Sequence, residues 1–411
     1  MYLWELILNK LKLTHYNDPI YGFITIPTPF IEQLINHPYL QRLRRIKQMG
    51  LSFLVFPSTE HTRFQHALGA MHLARKTVSV LRNQWVPISD EEAEALFACM
   101  LLHDVGHGPF SHALEPVFFP NHTHEDMSTA VMHELNNEFD GKLSLAIEMF
   151  TNSYKRPFFY QLIASHIDLD RLDYLKRDSF YSGVTEGNIN SERLISMMFV
   201  RDDRLVFHKK AVYSIEKFLL ARRMMYWSLY LHKTSFIAEE LMIRFFKRAA
   251  ELIDRGAKVS LSNALAYFLT NSDAAIGAKL SYFVQLDDVD VWTCLKEAKL
   301  NPDPVLSLLA TMLLDRRLPK INFLNKAVDV ADLNEKKAAF MRKTKMSADD
   351  ASYFVFSGSL QTQGYKQKEN PIQLCDEQGD CSLFDSSPDV TNIPQLTKRD
   401  IKFFFAYPKE V

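Results

Sequence analysis

The sequence predicts a mainly α-helical protein with a smaller mixed α/β region at its C-terminal end. Three observations carry this expectation. Glycine supplies only 13 of 411 residues, well under the usual ~7%, which disfavours a chain built from many tight turns. Apolar residues recur at helical spacing through most of the chain as far as about Lys345, as helices burying one face require. Beyond Ala351 the pattern changes to short aromatic and β-branched runs separated by polar and proline-containing turns.

From Phe30 to Met49 the residues Ile31, Leu34, Ile35, Leu40, Leu43 and Ile46 follow helical spacing, and Gly50 stands where a C-terminal cap would. Ser52 to Pro57 reads as extended, and helical periodicity resumes from about His61 to Leu81. Ser89 with Glu92 forms a capping box for a helix through Leu101 that must stop near Gly106, Gly108 and Pro109. Further helices are expected over Thr123 to Asn136, Leu143 to Phe150, Phe158 to Asp178, Asn190 to Met198 and Ala211 to Leu231, with a short hairpin at Arg204 to His208. Helices then continue to about Lys345, and Ala351 to Gly358, Gly364 to Leu374 and Ile401 to Tyr407 read as strands. The chain divides into an N-terminal segment (1–30), a helical body (30–235), a helical extension (236–320) and the mixed α/β region (321–411).

A hydrophobic share of 47% and a charged share of 24% are globular proportions and exclude a disordered or collagen-like chain. Lys plus Arg number 48 against 49 for Asp plus Glu, so no global charge draws the protein to nucleic acid or anionic membrane. No apolar run approaches the ~20 residues of a membrane span, and Met1 to Leu13, which carries Glu5, Lys10 and Lys12, does not read as a signal peptide. Cys99, Cys294, Cys375 and Cys381 form no Cys-x-x-Cys pair, so reduced thiols in a cytoplasmic protein are expected. The Cys375 to Cys381 loop allows a redox pair or a metal loop, but exposed turn thiols are the simpler expectation.

The densest polar cluster is His103-Asp104-Val105-Gly106-His107-Gly108-Pro109-Phe110-Ser111-His112, directly after the apolar run Ala98 to Leu102. Neighbouring helical residues point ~100° apart, so His103 and Asp104 share one ion only at a helix terminus, where the glycines open space. His66 on the preceding helix and Asp170 on a later one complete a set of two imidazoles and two carboxylates. That set suits Fe, Mn, Zn, Co or Ni and leaves coordination positions for water and substrate. Singly, each residue has a structural explanation: a lone helix histidine is more often structural, and Asp104 alone could cap a turn. Arg63 lies one turn before His66 on the same face, within reach of a bound phosphate. Asp170, Tyr174 and Asp178 recur every four residues, giving one helix face a ligand, an aromatic plate and an acceptor.

These motifs resemble the HD-domain phosphohydrolases, and within them the deoxynucleoside triphosphate (dNTP) triphosphohydrolase branch. The resemblance runs from His37-Pro38-Tyr39-Leu40-Gln41-Arg42 through His61-Thr62-Arg63-Phe64-Gln65-His66, the His103 to His112 cluster, Thr123-His124-Glu125 and Asp168 to Asp178, and ends at Tyr230-Leu231-His232-Lys233. It implies an HD-domain helical bundle as the catalytic core over residues 30–235. It also implies that His66, His103, Asp104 and Asp170 bind a divalent metal, and that His124, held by Glu115, is the general acid or proton shuttle. His124 falls at a predicted helix start, where the positive dipole end favours phosphate nearby. His107 and His112 share the cleft, either touching phosphate oxygens or a phosphate-bound Mg²⁺, or serving as structural neighbours. Gln48, Tyr174 and Asp178 match positions that hold the sugar and its 3′-hydroxyl, and Arg222 and Tyr230 match contacts to phosphate and base.

The sequence also departs from that branch. Arg171 follows the metal aspartate where vertebrate relatives carry Lys, Glu115 replaces a shorter aspartate, and Asn36 stands where an Asp reads the base of an activating nucleotide. No sterile-alpha-motif domain is expected ahead of the catalytic region. The resemblance implies hydrolysis of a dNTP to deoxynucleoside and triphosphate, with Arg63 and Arg171 offsetting charge, in a homo-oligomer that an activating nucleotide could control. The alternatives are an HD phosphohydrolase for a nucleoside mono- or diphosphate and a non-catalytic nucleotide sensor.

Overall fold

Helical periodicity becomes a stack of helices around one apolar core running from Ile24 to Ala406 in the computed structural model, which describes residues 14–362, 371–390, 396–397 and 400–409. The Met1 to Leu13 segment and residues 364–370 of the expected Gly364 to Leu374 strand lie outside the described residues. The protein is mainly α, with small sheets.

The first described residues form a hairpin, β1 (His15–Asp18) with β2 (Gly22–Thr25), which periodicity did not reveal. The helix expected from Phe30 to Met49 is broken in two, Pro29–Asn36 and Pro38–Arg42. Pro38 is the cause: it disfavours helical backbone at the residue before it, so His37 adopts φ −69°, ψ 142° and its side chain accepts from Tyr39 N to start the next helix. Gly50–Leu54 forms a 3-10 turn that overlaps the stretch Ser52 to Pro57 expected to be extended, and Gly50 opens it at φ +48° rather than capping the earlier helix.

Two long helices follow as expected. Arg63–Asn83 starts on a Thr62 and Gln65 capping box, and Asp90–Leu102 on the Ser89 and Glu92 box. Ser111–Phe118 is a helix where only a break was expected, because the Gly108 and Pro109 stop signal masked a restart with Pro116 inside it. His124–Glu138 and Ser144–Phe150 form as expected. The single helix expected over Phe158 to Asp178 is two, Pro157–Ile163 and Leu169–Ser182. Asp168 starts the second by accepting from Ser165 N and Arg171 N, a side-chain cap that ends one helix and begins another.

Strands β3 (Met198–Arg201) and β4 (Arg204–His208) pair antiparallel around Asp202 and Asp203, whose φ values of 51° and 54° give the positive-φ hairpin turn. Val212–Met225 continues into a π-helical turn over Tyr226–Tyr230, and Lys233–Asp254 forms the longest helix. After helices Asn263–Thr270, Ile276–Phe283, Asp288–Ala298 and Pro304–Leu314 comes β5 (Lys320–Leu324), inside a stretch expected to be helical. Helices Val330–Thr344 and Ala348–Ala351 lead to β6 (Phe356–Thr362), later than the expected Ala351 start. β9 (Asp400–Tyr407) lies between β5 and β6, pairing Lys320 with Tyr407 and Phe356 with Ala406.

The expectation of reduced, unpaired thiols fails at Cys375 and Cys381. β7 (Gln373–Cys375) and β8 (Cys381–Leu383) are antiparallel with Cys375 directly opposite Cys381, at a Cα separation of 4.1 Å, and the two form a disulfide. Sequence spacing alone does not show that register. No helix among the described residues is long and apolar enough to cross a membrane.

Candidate active site

Three helices deliver the metal-type side chains to one point. Arg63–Asn83 brings His66, the C-terminal end of Asp90–Leu102 brings His103 and Asp104, and the first turn of Leu169–Ser182 brings Asp170. His66 Nε2 lies 3.1 Å from His103 Nε2 and 3.1 Å from Asp170 Oδ1, and His103 Nε2 lies 3.5 Å from the same oxygen. Asp104 closes the group, its Oδ1 3.5 Å from His103 Nε2 and its Oδ2 3.7 Å from His66 Nε2.

The donor set fits a cation. His66 Nδ1 meets Asp173 Oδ2 at 2.7 Å and His103 Nδ1 meets Met100 O at 2.8 Å, so each Nδ1 carries the proton and each Nε2 is a lone pair. Two such lone pairs facing at 3.1 Å repel unless a positive charge lies between them. Ligands ~2.1 Å from one ion are themselves ~3.0–3.4 Å apart in octahedral or tetrahedral arrangement, close to the 3.1, 3.1 and 3.5 Å separations among His66, His103 and Asp170. A proton on His66 Nε2 would meet the same need for positive charge: burial opposes it, yet hydrogen bonds to Asp170 and Asp173 would then hold the imidazole up to about 10, a measure of how strongly the site attracts positive charge.

Behind these four residues lies a buried chain of alternating charge that the sequence did not disclose. Asp173 orients His66 and pairs with Arg177 Nε at 2.9 Å, and Arg177 Nη1 reaches Asp18 at 2.7 Å, which ties the N-terminal hairpin to the site. Gly69 is required here, since a Cβ would lie 2.0 Å from Asp173 Oδ1. Arg42 donates to the carbonyls of Val105 and His107, both at 2.8 Å, and fixes the loop after Asp104. Gly106 permits that loop to touch the first turn of the helix His124–Glu138, because a Cβ would lie 2.1 Å from His124 O.

A second cluster faces the first. Arg63 Nη1 donates to Asp104 Oδ2 at 2.6 Å, and His107 Nε2 lies 3.3 Å from Asp104 Oδ1. His107 stacks on His124 with ring centroids 4.0 Å apart, and His112 meets both edge-on. His124 Nδ1 lies 2.9 Å from Glu115 Oε2; burial works against protonation of His124, but the Glu115 hydrogen bond outweighs it and raises its pKa. Burial lowers His107 and His112, the latter to about 4, with the Arg63 charge adding to both. The side chains of His107, Glu115 and His124 converge closely enough to hold a further cation.

Both clusters open into a cleft of about 540 Å³ whose lining includes Arg63, Asp104, His107, His112, His124 and Asp170. Gln48, Tyr174, Asp178, Arg222, Tyr226 and Tyr230 line the same cleft, together with residues that include Lys47, Met49, Gly50, Leu231 and Glu239. Asp178 is engaged on both oxygens, by His61 Nε2 at 2.7 Å and by Tyr230 Oη at 2.8 Å, and His61 in turn stacks on Tyr181. Gln48 Oε1 is buried without a hydrogen-bond partner among the described residues. Arg171 is the predicted residue placed differently: it pairs with the buried Asp168 and is not among the cleft-lining residues.

Comparison with known proteins agrees with this geometry. The HD domain model matches residues 63–189 and the HD associated region model matches residues 189–351. A solved structure of a phosphohydrolase from Bacteroides thetaiotaomicron is 42% identical and superposes with a TM-score of 0.93 over 96% of this chain and all of that one. The chain belongs to the HD-domain phosphohydrolase family. Another relative of this phosphohydrolase, YwfO of Bacillus subtilis, is 30% identical over 96% of this chain and 92% of its own. The human deoxynucleoside triphosphate triphosphohydrolase SAMHD1 is 29% identical over 61% of the phosphohydrolase described here, a match spanning 47% of the human protein.

Proposed function

We propose that this HD-domain phosphohydrolase hydrolyses dNTPs to deoxynucleoside and intact triphosphate. The observation that carries the reading is the convergence, in one cleft, of the metal-type group, the His124 and Glu115 pair, and the Gln48, Tyr174 and Asp178 wall. Similarity to the SAMHD1 triphosphohydrolases of human and Dictyostelium discoideum supports it.

His66, His103, Asp104 and Asp170 are the residues that would hold a divalent ion, of the Fe, Mn, Zn, Co or Ni type, with Mg²⁺ on the substrate phosphates. Such an ion supplies Lewis-acid polarisation of a phosphoryl oxygen and acidifies water at the site. Arg63, anchored on Asp104, keeps further N–H groups for phosphate oxygens, and its Nε has no partner among the described residues. Water forms the new bond to the α-phosphorus, the bond from that phosphorus to the 5′-oxygen breaks, and His124 gives its proton to the leaving oxygen. Glu115 keeps that proton on His124 until it is needed. His107 and His112, held neutral by burial, donate or accept hydrogen bonds at phosphate oxygens. Asp178 keeps unused lone pairs for a sugar hydroxyl despite its two partners, Gln48 offers an unpaired amide oxygen, and Tyr174 offers a flat wall. Arg222 and Tyr230 stand for phosphate and base. The working unit is a cytoplasmic homo-oligomer, open to control by an activating nucleotide.

Incubation of the Mn²⁺- or Mg²⁺-supplemented protein with each dNTP, singly and in mixtures, followed by anion-exchange separation of products, tests the reading. Triphosphate from the wild type and none from Asp104→Ala is expected. Orthophosphate with a nucleoside diphosphate would refute it, and equal turnover of nucleoside monophosphates would favour a different phosphoester substrate.

A further inference from the structure

The loop that carries Asp104, His107 and His112 turns on one strained residue. Phe110 stands in the left-handed region at φ 47°, ψ 42°, which crowds the Cβ of any residue but glycine. The turn made there starts the helix Ser111–Phe118 and brings Ser111 Oγ back to 2.5 Å from His107 Nδ1. It also sets the His107 and His112 rings edge-on to each other. Glycine would take this conformation freely; a phenylalanine holds it only while its surroundings over-determine it.

Those surroundings come from outside the stretch that the HD domain model matches. The start of the helix Asp288–Ala298 lies in the HD associated region, and three ties join it to the loop. Arg42, fully buried, donates from Nη1 to Leu286 O at 2.9 Å and from Nη2 to Val105 O and His107 O, both at 2.8 Å. Asp288 accepts from Lys47 N at 2.9 Å and has the Phe110 amide beside it. Trp292 is four residues further and so on the same helix face. Its ring meets Phe110 edge-on at 5.6 Å between centroids and Phe53 at 6.0 Å. Lys47 and Phe110 line the cleft from two different segments, so Asp288 and Trp292 register one segment against the other. We infer that Leu286 to Trp292 is a clamp that positions the His107 and His112 side chains, with Trp292 as its principal positioning residue. Neither Asp288 nor Trp292 lines the cleft, so both act through Phe110 and not on a ligand. Such a clamp serves any phosphoester that the two histidines touch.

Amide hydrogen exchange of the full chain, read by mass spectrometry, tests the clamp in three variants. Trp292→Leu removes the ring edge from Phe110, Phe110→Leu removes the same contact from the other side, and Trp292→Phe keeps an aromatic edge. Exchange over Asp104 to His112 should rise ~tenfold in the two Leu variants, while the helices Arg63–Asn83 and Lys233–Asp254 keep wild-type protection. Trp292→Phe should stay close to wild type, and the double Leu variant should exceed the larger single effect by less than ~twofold, since both act through one contact. In Trp292→Leu, calorimetric binding of inorganic triphosphate should weaken and dNTP turnover should fall by up to ~100-fold, the scale of a ~1 Å misplacement of reacting groups, with Trp292→Phe restoring both. Unchanged exchange over Asp104 to His112, or a rise of the same size in every helix, would overturn the clamp and leave Trp292 as scaffold; Phe110→Leu decides this if Trp292→Leu does not fold. Local loosening with wild-type triphosphate affinity and turnover would overturn the placing of the histidines. Absence of dNTP hydrolysis in the wild type would sink the proposed reaction and leave exchange and triphosphate binding to judge the clamp.

Discussion

Asp173 ligates nothing in this structure, yet its removal should disarm the metal group. It accepts from His66 Nδ1 at 2.7 Å and from Arg177 Nε and Nη2, each at 2.9 Å, with both side chains fully buried. In Asp173→Asn the His66 ring loses the charged acceptor that fixes its tautomer, so Nε2 presents a lone pair only part of the time. Partners of this kind are worth ~10–100-fold in metal affinity. Arg177 also keeps only Asp18, and stripping one partner from a buried ion pair costs ~3–5 kcal/mol. Metal content after competition with a graded chelator measures the first effect, and denaturant unfolding of the metal-free protein measures the second. Gly69→Ala should reproduce both, because the new Cβ falls on Asp173 Oδ1 and Arg177 Nη2. Unfolding that shifts as stated while metal affinity stays within twofold of wild type would refute the orienting role and leave Asp173 as scaffold alone.

Three further outcomes follow from the charges and the tail. Glu115→Gln should lower kcat by ~100-fold or more and move the alkaline limb of its pH profile downwards: Glu115 raises the pKa of His124, so the acid form survives to higher pH in the wild type, and an unmoved limb contradicts this. Asp288 is buried, accepts from Lys47 N at 2.9 Å, and is held by burial up to about 7. Its folded pKa exceeds the ordinary ~3.9, so folding favours the protonated form and stability falls as pH rises from ~4 through 7, by up to ~4 kcal/mol at ~1.4 kcal/mol per unit; Asp288→Asn should flatten that slope in unfolding at pH 5 and pH 8, and an unchanged slope would place the titration elsewhere. The Cys375 and Cys381 disulfide closes a loop of six residues' separation, worth ~2 kcal/mol in the chain-entropy account, so reductant should lower the melting temperature of the wild type and not of Cys381→Ser.

Side-chain chemistry at spaced positions was the legible part of this protein. Helical periodicity placed the helix carrying His66, the Ser89 and Glu92 capping box placed the one carrying His103, and the four-residue spacing of Asp170, Tyr174 and Asp178 set all three on the cleft lining. What was not legible depends on contacts between distant segments. Asp173 and Arg177 read as ordinary helix charges until Asp18, over 150 positions away in sequence, completes them. Arg42 gains meaning only when its guanidinium meets the loop at Val105 and His107. Short strands such as β5, and β7 opposite β8, are set by tertiary pairing rather than by local pattern. Arg171 was expected in the cleft because it follows Asp170, but a one-residue step turns a helical side chain ~100° away, towards Asp168.

Hydrolysis of dGTP in ¹⁸O-enriched water, with both products examined by mass spectrometry, tests the central claim most directly. Attack of water at the α-phosphorus predicts one ¹⁸O in the released triphosphate and none in deoxyguanosine. Label in orthophosphate would place the attack at the terminal phosphate, and label in the nucleoside would mean cleavage on the carbon side of the 5′-oxygen; either result would contradict the account.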